Sequence, residues 1–372
     1  MSSRVRMIAR RVAAGAGAIG VAAALVASAA GPAQAAVPDK WGFAYVDQPS
    51  VASTPTLSHQ AGSWPAPLHA HSAPAGGGRV AVTFPRIASK DGVVHVTAVN
   101  GGAVWCQAVS WGPSGPNEVV VVRCHKAGGA VVFSPFTVLY TTSSKGPFPA
   151  GSAYAYVHWQ PGPGIVAQFN STGNPNTVTP AGLGVWIVRL LGIASSVQRG
   201  NVQVTAVNPS VPAKCEIQKW TWTGNGQTFQ VNCYGVGTAA LNTGWTLSYD
   251  HVRAITGTQP KFYGYTFNNM PLSPAPYVPV PPGVNFNSQG GVNRIAPAGT
   301  GLSLVTFPRV GVVPNTVLVT PFGAGPGFCN LITVWGSTPG PSGAVIVRDV
   351  ACFTAGGVNK KFASLITYTS SH

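Results

Sequence analysis

Six cysteines, ten tryptophans and seven carboxylates are the residues with the most chemistry to offer in this 372-residue chain. The cysteines fall into three pairs: Cys106 and Cys124, Cys215 and Cys233, Cys329 and Cys352. First members follow one another at 109 and 114 residues, second members at 109 and 119. No pair has the Cys-x-x-Cys spacing of a zinc knuckle, and a metal would need further soft ligands that the neighbouring sequence does not supply. The chemistry the spacing predicts is oxidation within each pair, since both members lie on strands that flank a hairpin. Closing a loop of roughly 20 residues stabilises a fold by about 3 kcal/mol.

A tryptophan follows each first cysteine, as Trp111 in "CQAVSW", Trp220 in "CEIQKW" and Trp335 in "CNLITVW". Recurrence at one place means either three core rings, each burying a large apolar area, or three platforms on which sugar rings could stack. Core is the preferred reading. Five residues separate Cys from Trp in the first two copies, which on a regular strand sends the two side chains to opposite faces. Trp64, Trp159 and Trp222 have no counterpart in all three copies. Trp159, in "HWQPGPG", reads as a loop residue that contacts either a ligand or a neighbouring domain, the latter preferred.

Acid–base chemistry is poorly provided for. The carboxylates Asp39, Asp47, Asp91, Glu118, Glu216, Asp250 and Asp349 form no close pair, whereas glycoside hydrolysis uses two flanking one bond. Asp250-His251 near a serine is the one triad-like option. No Gly-x-Ser-x-Gly elbow, phosphate loop or His-Glu-x-x-His motif is present. "HAHS" at His69–Ser72 offers two alternating histidines without a visible third ligand. Neither a catalytic residue, a metal site nor a cofactor is assigned.

The elements that would position these residues repeat. "VTAVN" stands at Val96–Asn100 and Val204–Asn208, with "VLVTPF" at Val317–Phe322; "VTFPR" stands at Val82–Arg86 and Val305–Arg309. Tyr140, Tyr249 and Tyr368 keep the cysteine period, and "QFNSTG" matches "NFNSQG". A period near 110 residues is domain-sized rather than solenoid-sized. Segments such as "GRVAVTF" alternate with a period of two, "NEVVVVRC" reads as a strand covered on both sides, and Gly and Pro punctuate the runs. The expectation is all-β: three tandem homologous antiparallel β-sandwich or jelly-roll-like domains of six or seven strands, each with one internal disulfide, at 41–145, 153–255 and 261–371. "SSKGPFPAGS" and "ITGTQPK" read as connectors, and Asn170-Ser171 and Asn287-Ser288 as a shared turn.

Residues 1–35 read as a signal peptide: Arg4, Arg6, Arg10 and Arg11, an Ala-rich apolar run, then "AQA". The expected destination is extracellular, with no membrane anchor after cleavage. Without those arginines the chain has 18 basic and 7 acidic residues. A positive balance can favour nucleic acid, anionic envelope polymers or acidic glycans, but the Lys and Arg are scattered rather than clustered, which argues against specific nucleic-acid binding and makes ordinary solubility the preferred reading of the charge.

"GFAYVDQPS", "VTFPRI", "VVHVTAVN", "CQAVSW" and "VVVVRC", with weaker copies downstream, make the chain resemble three-repeat secreted β proteins of actinomycete-type bacteria. The resemblance implies export and an all-β fold, and no site residues. The Pro-rich insert "MPLSPAPYVPVPPG" departs from the other copies. The function expected is non-enzymatic: binding of an envelope polysaccharide or surface protein through several weak sites, tethered copies giving avidity. The alternatives are a carbohydrate-binding array using Trp111, Trp159, Trp220 and Trp335, and, less favoured, a secreted hydrolase.

Overall fold

The computed structural model describes residues 39–142, 148–323, 325–338 and 342–372. The expected leader at 1–35 and part of the first connector, 143–147, lie outside them. Among the described residues the chain is all-β, with only two three-residue 3-10 turns. Residues 36–372 form one compact unit.

Within that unit the strands sort into three groups with one strand order. In the first group, one sheet runs Gln60–Gly62, Trp41–Val46, Phe136–Thr141, Val93–Ala98; the facing sheet runs His71–Pro74, Arg79–Phe84, Asn117–Lys126, Val104–Ser114. The order is thus second, first, eighth, fifth against third, fourth, seventh, sixth. The groups at 153–251 and 263–370 repeat it, and every pairing inside a group is antiparallel. Each group therefore has eight principal strands, more than the six or seven expected, because the short edge strands carry little apolar signal. Arg79–Phe84 alternates half-buried and buried. Asn117–Lys126 does so up to Val121, so only its second half is covered on both sides.

Each sandwich closes on its own core. Val82, Phe84, Val120 and Val122 face Val94, Val96 and Val138 in the first; Trp186, Val188, Phe229 and Val231 face Val202, Val204 and Leu247 in the second; Val305, Phe307 and Val347 face Val317, Val319 and Ile366 in the third. The cystines Cys106–Cys124, Cys215–Cys233 and Cys329–Cys352 join directly opposed residues of adjacent strands, with Cα atoms 4.0, 4.1 and 4.0 Å apart. Tyr140, Tyr249 and Tyr368 each donate a hydroxyl hydrogen bond to the loop before the fifth strand, to Asp91 O, Arg199 O and Val312 O.

The repeated "VTAV" segment is the element that joins one sandwich to the next. Val207 enters the first core, Phe322 packs against the second and Val99 enters the third. These are equivalent positions, each three residues after Val204, Val319 and Val96. Three single parallel pairings run the same way round: Val207 with Ala108, Phe322 with Ile217, Val99 with Leu331. The threonines complete the cycle: Val96 N donates to Thr205 Oγ1 (3.2 Å), Val204 N to Thr320 Oγ1 (3.0 Å) and Val319 N to Thr97 Oγ1 (3.0 Å). First meets second, second meets third and third meets first. The three sandwiches close into a ring, a heterologous contact whose rotation closes.

These N–H groups lie on the free edges of buried strands, so the threonine hydroxyls are the acceptors that satisfy them. Thr205→Val should cost about 1–3 kcal/mol in urea unfolding by stranding the Val96 donor, while Thr205→Ser should cost under about 1 kcal/mol. Equal losses in the two variants would show that the hydroxyl contributes nothing.

Candidate ligand-binding surface

The four candidate tryptophans are placed mainly inside. Trp159, Trp220 and Trp335 are 8, 4 and 2 % exposed. Trp220 Nε1 donates to Gln227 Oε1 (2.8 Å) and Trp335 Nε1 to Asn315 Oδ1 (2.5 Å), so each ring has its polar edge satisfied in the core. Trp111 is half-buried against the first core and lies 4.4 Å from the His158 ring. As placed, the three buried rings offer no open face to a sugar. The Cys-to-Trp parity is resolved by bulges, between Ala108 and Ser110 and between Ile217 and Lys219, which return both side chains to one face. Trp159 sits on the strand Ala153–Gln160 rather than in a loop, and packs against Trp186 and Trp245 of its own sandwich rather than against a neighbour.

The acid–base residues do not converge. Asp250 and His251 point apart: Asp250 accepts from Asn201 Nδ2 (3.0 Å), while His251 Nδ1 meets Tyr265 Oη at 3.0 Å. Burial raises the Asp250 carboxyl well above the usual carboxylate range and lowers the His251 ring to about 4. Ser248 instead contacts His95, Oγ to Nε2 at 2.8 Å. That pair has the spacing of a nucleophile and its base, but the two residues are 0 and 1 % exposed and burial lowers His95 to about 3. A reacting carbon needs a place near both groups, and a pair sealed between two sandwiches leaves none. His69 and His71 are exposed, with His71 Nδ1 3.3 Å from Thr54 Oγ1. Among the described residues no three His, Cys, Asp or Glu side chains gather as metal ligands.

Asn170 and Asn287 are each 7 % exposed and hold equivalent turns. Asn170 Nδ2 donates to Asn176 Oδ1 and Leu191 O; Asn287 Nδ2 donates to Asn293 Oδ1 and Pro308 O. Their amides are occupied in holding the fold together.

Where the three sandwiches meet lies a small cavity of about 40 Å³. It is bordered by Thr97, Thr205, Val319 and the equivalent residues Trp105, Lys214 and Phe328. Lys214 Nζ donates to Gly235 O (2.7 Å) and Gly237 O (3.0 Å) and lies 5.0 Å from the Trp105 ring centre. Burial lowers its amine to about 8. The space suffices for a few waters and no larger ligand. Lys214 is held by carbonyls of its own sandwich and reaches a neighbouring one only through the Trp105 ring.

The outer surface is distinguished by its charge. Glu118, Glu216 and Asp250 are fully buried, and Asp39, Asp47, Asp91 and Asp349 are half-buried, so among the described residues no acidic side chain is exposed. Arg86, Lys90, Lys126, Arg189, Lys219, Lys261, Arg294, Arg309, Arg348 and Lys360 are all exposed. Burial also raises Glu118 to about 7, which removes part of its charge near neutrality. Sequence shows the charge balance but not this segregation, because it depends on which face of each strand carries the acid.

No family model, curated protein or solved structure matches this chain. Its three cystines fit an oxidising compartment, and among the described residues no helix is long and apolar enough to cross a membrane.

Proposed function

We propose that the chain is an exported, non-enzymatic binding protein whose ligand is an anionic polymer of the cell surface, held through several weak contacts spread over three related sandwiches. The observation that carries this reading is the surface with ten exposed cations against four half-buried aspartates and no fully exposed side-chain carboxylate among the described residues. Ordinary solubility is served by both signs of charge in balance; a surface on which cations strongly outnumber the partly exposed carboxylates gathers counter-ions and steers polyanions. The sealed Ser248–His95 pair and the separated Asp250 and His251 favour binding over hydrolysis.

The test is retention. Purified mature protein should stay on beads carrying polyphosphate or polygalacturonate and pass through uncharged chitin and cellulose. Retention on the uncharged supports alone, or on none, would contradict the proposal. A neutral-sugar reading keeps one specific support: half-buried Trp64 lines an open cleft of about 290 Å³ with Leu57, Leu68 and His69. Chitin or cellulose retention that is lost in Trp64→Ala would favour it.

A further inference from the structure

Two of the exposed cations occupy a backbone position that arginine has no conformational reason to hold. Arg86 and Arg309 end the "VTFPR" segments with φ of 54° and 63°, in the left-handed region. The matching residue of the second sandwich is Gly192, φ 79°. The match is geometric: the amide of Asn287 donates to Pro308 O and that of Asn170 to Leu191 O, each the carbonyl just before the position in question. The corner thus takes a left-handed residue in all three sandwiches. Glycine, which adopts that conformation without a steric penalty, stands there once, and arginine twice.

Folding does not account for the arginines. Each corner is held by backbone and by other side chains: Arg86 N donates to Asn117 Oδ1 and Ala88 N to Pro116 O, Gly192 N donates to Asn225 O, and Gly311 N donates to Gly343 O. Both guanidinium groups are exposed, and neither has a partner among the described residues. The second sandwich, with glycine at the corner, has exposed Arg189 three residues earlier, also without a partner among the described residues. Arg189 lines a cleft of about 330 Å³ with Thr223, Asn225, Gln227 and Thr228. Hydroxyls and amides beside a guanidinium supply the donors that an oxyanion accepts from. Among the described residues, every sandwich therefore presents an exposed guanidinium without a partner near the end of its fourth strand, beside the connection between strands six and seven.

We propose that Arg86, Arg189 and Arg309 are the anchoring residues for the polyanion, each gripping one phosphate or carboxylate of an extended glycan-type polymer by its planar fork of donors, while the lysines contribute only diffuse attraction. This rests on the polyanion reading and assigns its specificity to three named corners. Strain retained at an exposed side chain points to use of that side chain.

The experiment compares two triple variants of equal charge loss in the full mature protein. One is Arg86→Gly, Arg189→Gln and Arg309→Gly; the other is Lys126→Gln, Lys219→Gln and Lys360→Gln. Affinity for polyphosphate and polygalacturonate is measured by fluorescence titration, with single-stranded DNA alongside, and melting temperature is measured for each single variant. Expected are a loss of about ten-fold or more in the arginine triple against about three-fold or less in the lysine triple, and Arg86→Gly and Arg309→Gly melting no lower than the parent. The polymer gripped more tightly tells a phosphate source from a carboxylate one. Equal losses in the two triples, a lowered melting temperature in either glycine variant, or tighter binding to DNA than to both polymers would overturn the assignment. Failure of the parent protein to bind either polymer would instead overturn the reading on which it rests.

Discussion

Reducing the three cystines should unfold the protein at 37 °C without denaturant. The bridges span 18, 18 and 23 residues, so each restricts the unfolded chain by about 3 kcal/mol on the chain-entropy account. Three such contributions reach about 9 kcal/mol, within the 5–15 kcal/mol by which a typical fold is stable. Each bridge also stands where the ring is joined. The residues just after Cys106 and Cys329 reach into the next sandwich: Gln107 Nε2 donates to Asn208 O (2.7 Å) and Val211 O (2.9 Å), and Asn330 Nδ2 to Gly102 O (2.8 Å) and Val104 O (3.2 Å). Loosening one hairpin therefore loosens a contact between sandwiches as well as a core. Circular dichroism during titration with reductant is the check. A reduced protein that keeps its native spectrum and melting temperature would show that the bridges are dispensable.

Mild acid should destabilise the fold steeply. His95, His125, His158 and His251 are buried, and burial lowers their rings from an ordinary value of 6.5 to about 3, 4, 4 and 4. Below pH 6.5 the unfolded chain takes up protons at all four, while the folded chain holds them neutral until pH 3–4. Stability from this source is complete above pH 6.5 and is lost as pH falls. Asp250 and Glu118 oppose it, because burial raises both carboxyls, Glu118 to about 7. They stay protonated in the folded state where the unfolded chain has ionised them, so they cost stability as pH rises from about 4. Near pH 5 the unfolded chain binds about four extra protons at the histidines and lacks about two at the carboxyls. The net of about two protons makes stability rise with pH, by roughly 3 kcal/mol per pH unit. Urea midpoints between pH 4.5 and 6.5 test the sign and the size. His95→Gln, which installs the residue found at the matching Gln203, should flatten the slope by about one proton; Glu118→Gln should steepen it and stabilise the protein above pH 7. A slope of the opposite sign would mean that the carboxyls dominate.

Much of the fold is legible in the sequence alone. Cysteine spacing led to the pairings, alternation in "GRVAVTF" led to a half-buried strand, and the recurrence near 110 residues fits the three groups of strands with one order. What escaped depends on single-residue geometry. A bulge after Ala108 reverses the facing of Trp111, and nothing in "CQAVSW" announces it. The closing of the ring was hidden for a related reason: Val99, Val207 and Phe322 look like ordinary strand ends, and only the path of the chain carries each into the core of another sandwich. The candidate surface was least legible of all. "VTFPR" is visible as a repeat, but the left-handed backbone under Arg86 and Arg309 is not, nor is the burial of Glu118, Glu216 and Asp250 that leaves only four half-buried aspartates against the cations. For the recurrent tryptophans the sequence reading prefers core over ligand platform, and Trp220 and Trp335 are buried, while Trp111 is half-buried; for Trp159 the context "HWQPGPG" does not reveal that its ring helps fill the core of its own sandwich.

The central claim, that a predominantly cationic surface binds an anionic polymer, is met most directly by the salt dependence of affinity for polyphosphate. Between about 50 and 300 mM salt, log K should fall linearly with log of salt concentration, with a slope between about −2 and −4, as three to five oxyanion contacts release their counter-ions. Tight binding with a slope near zero, or no binding at the lowest salt, would contradict it.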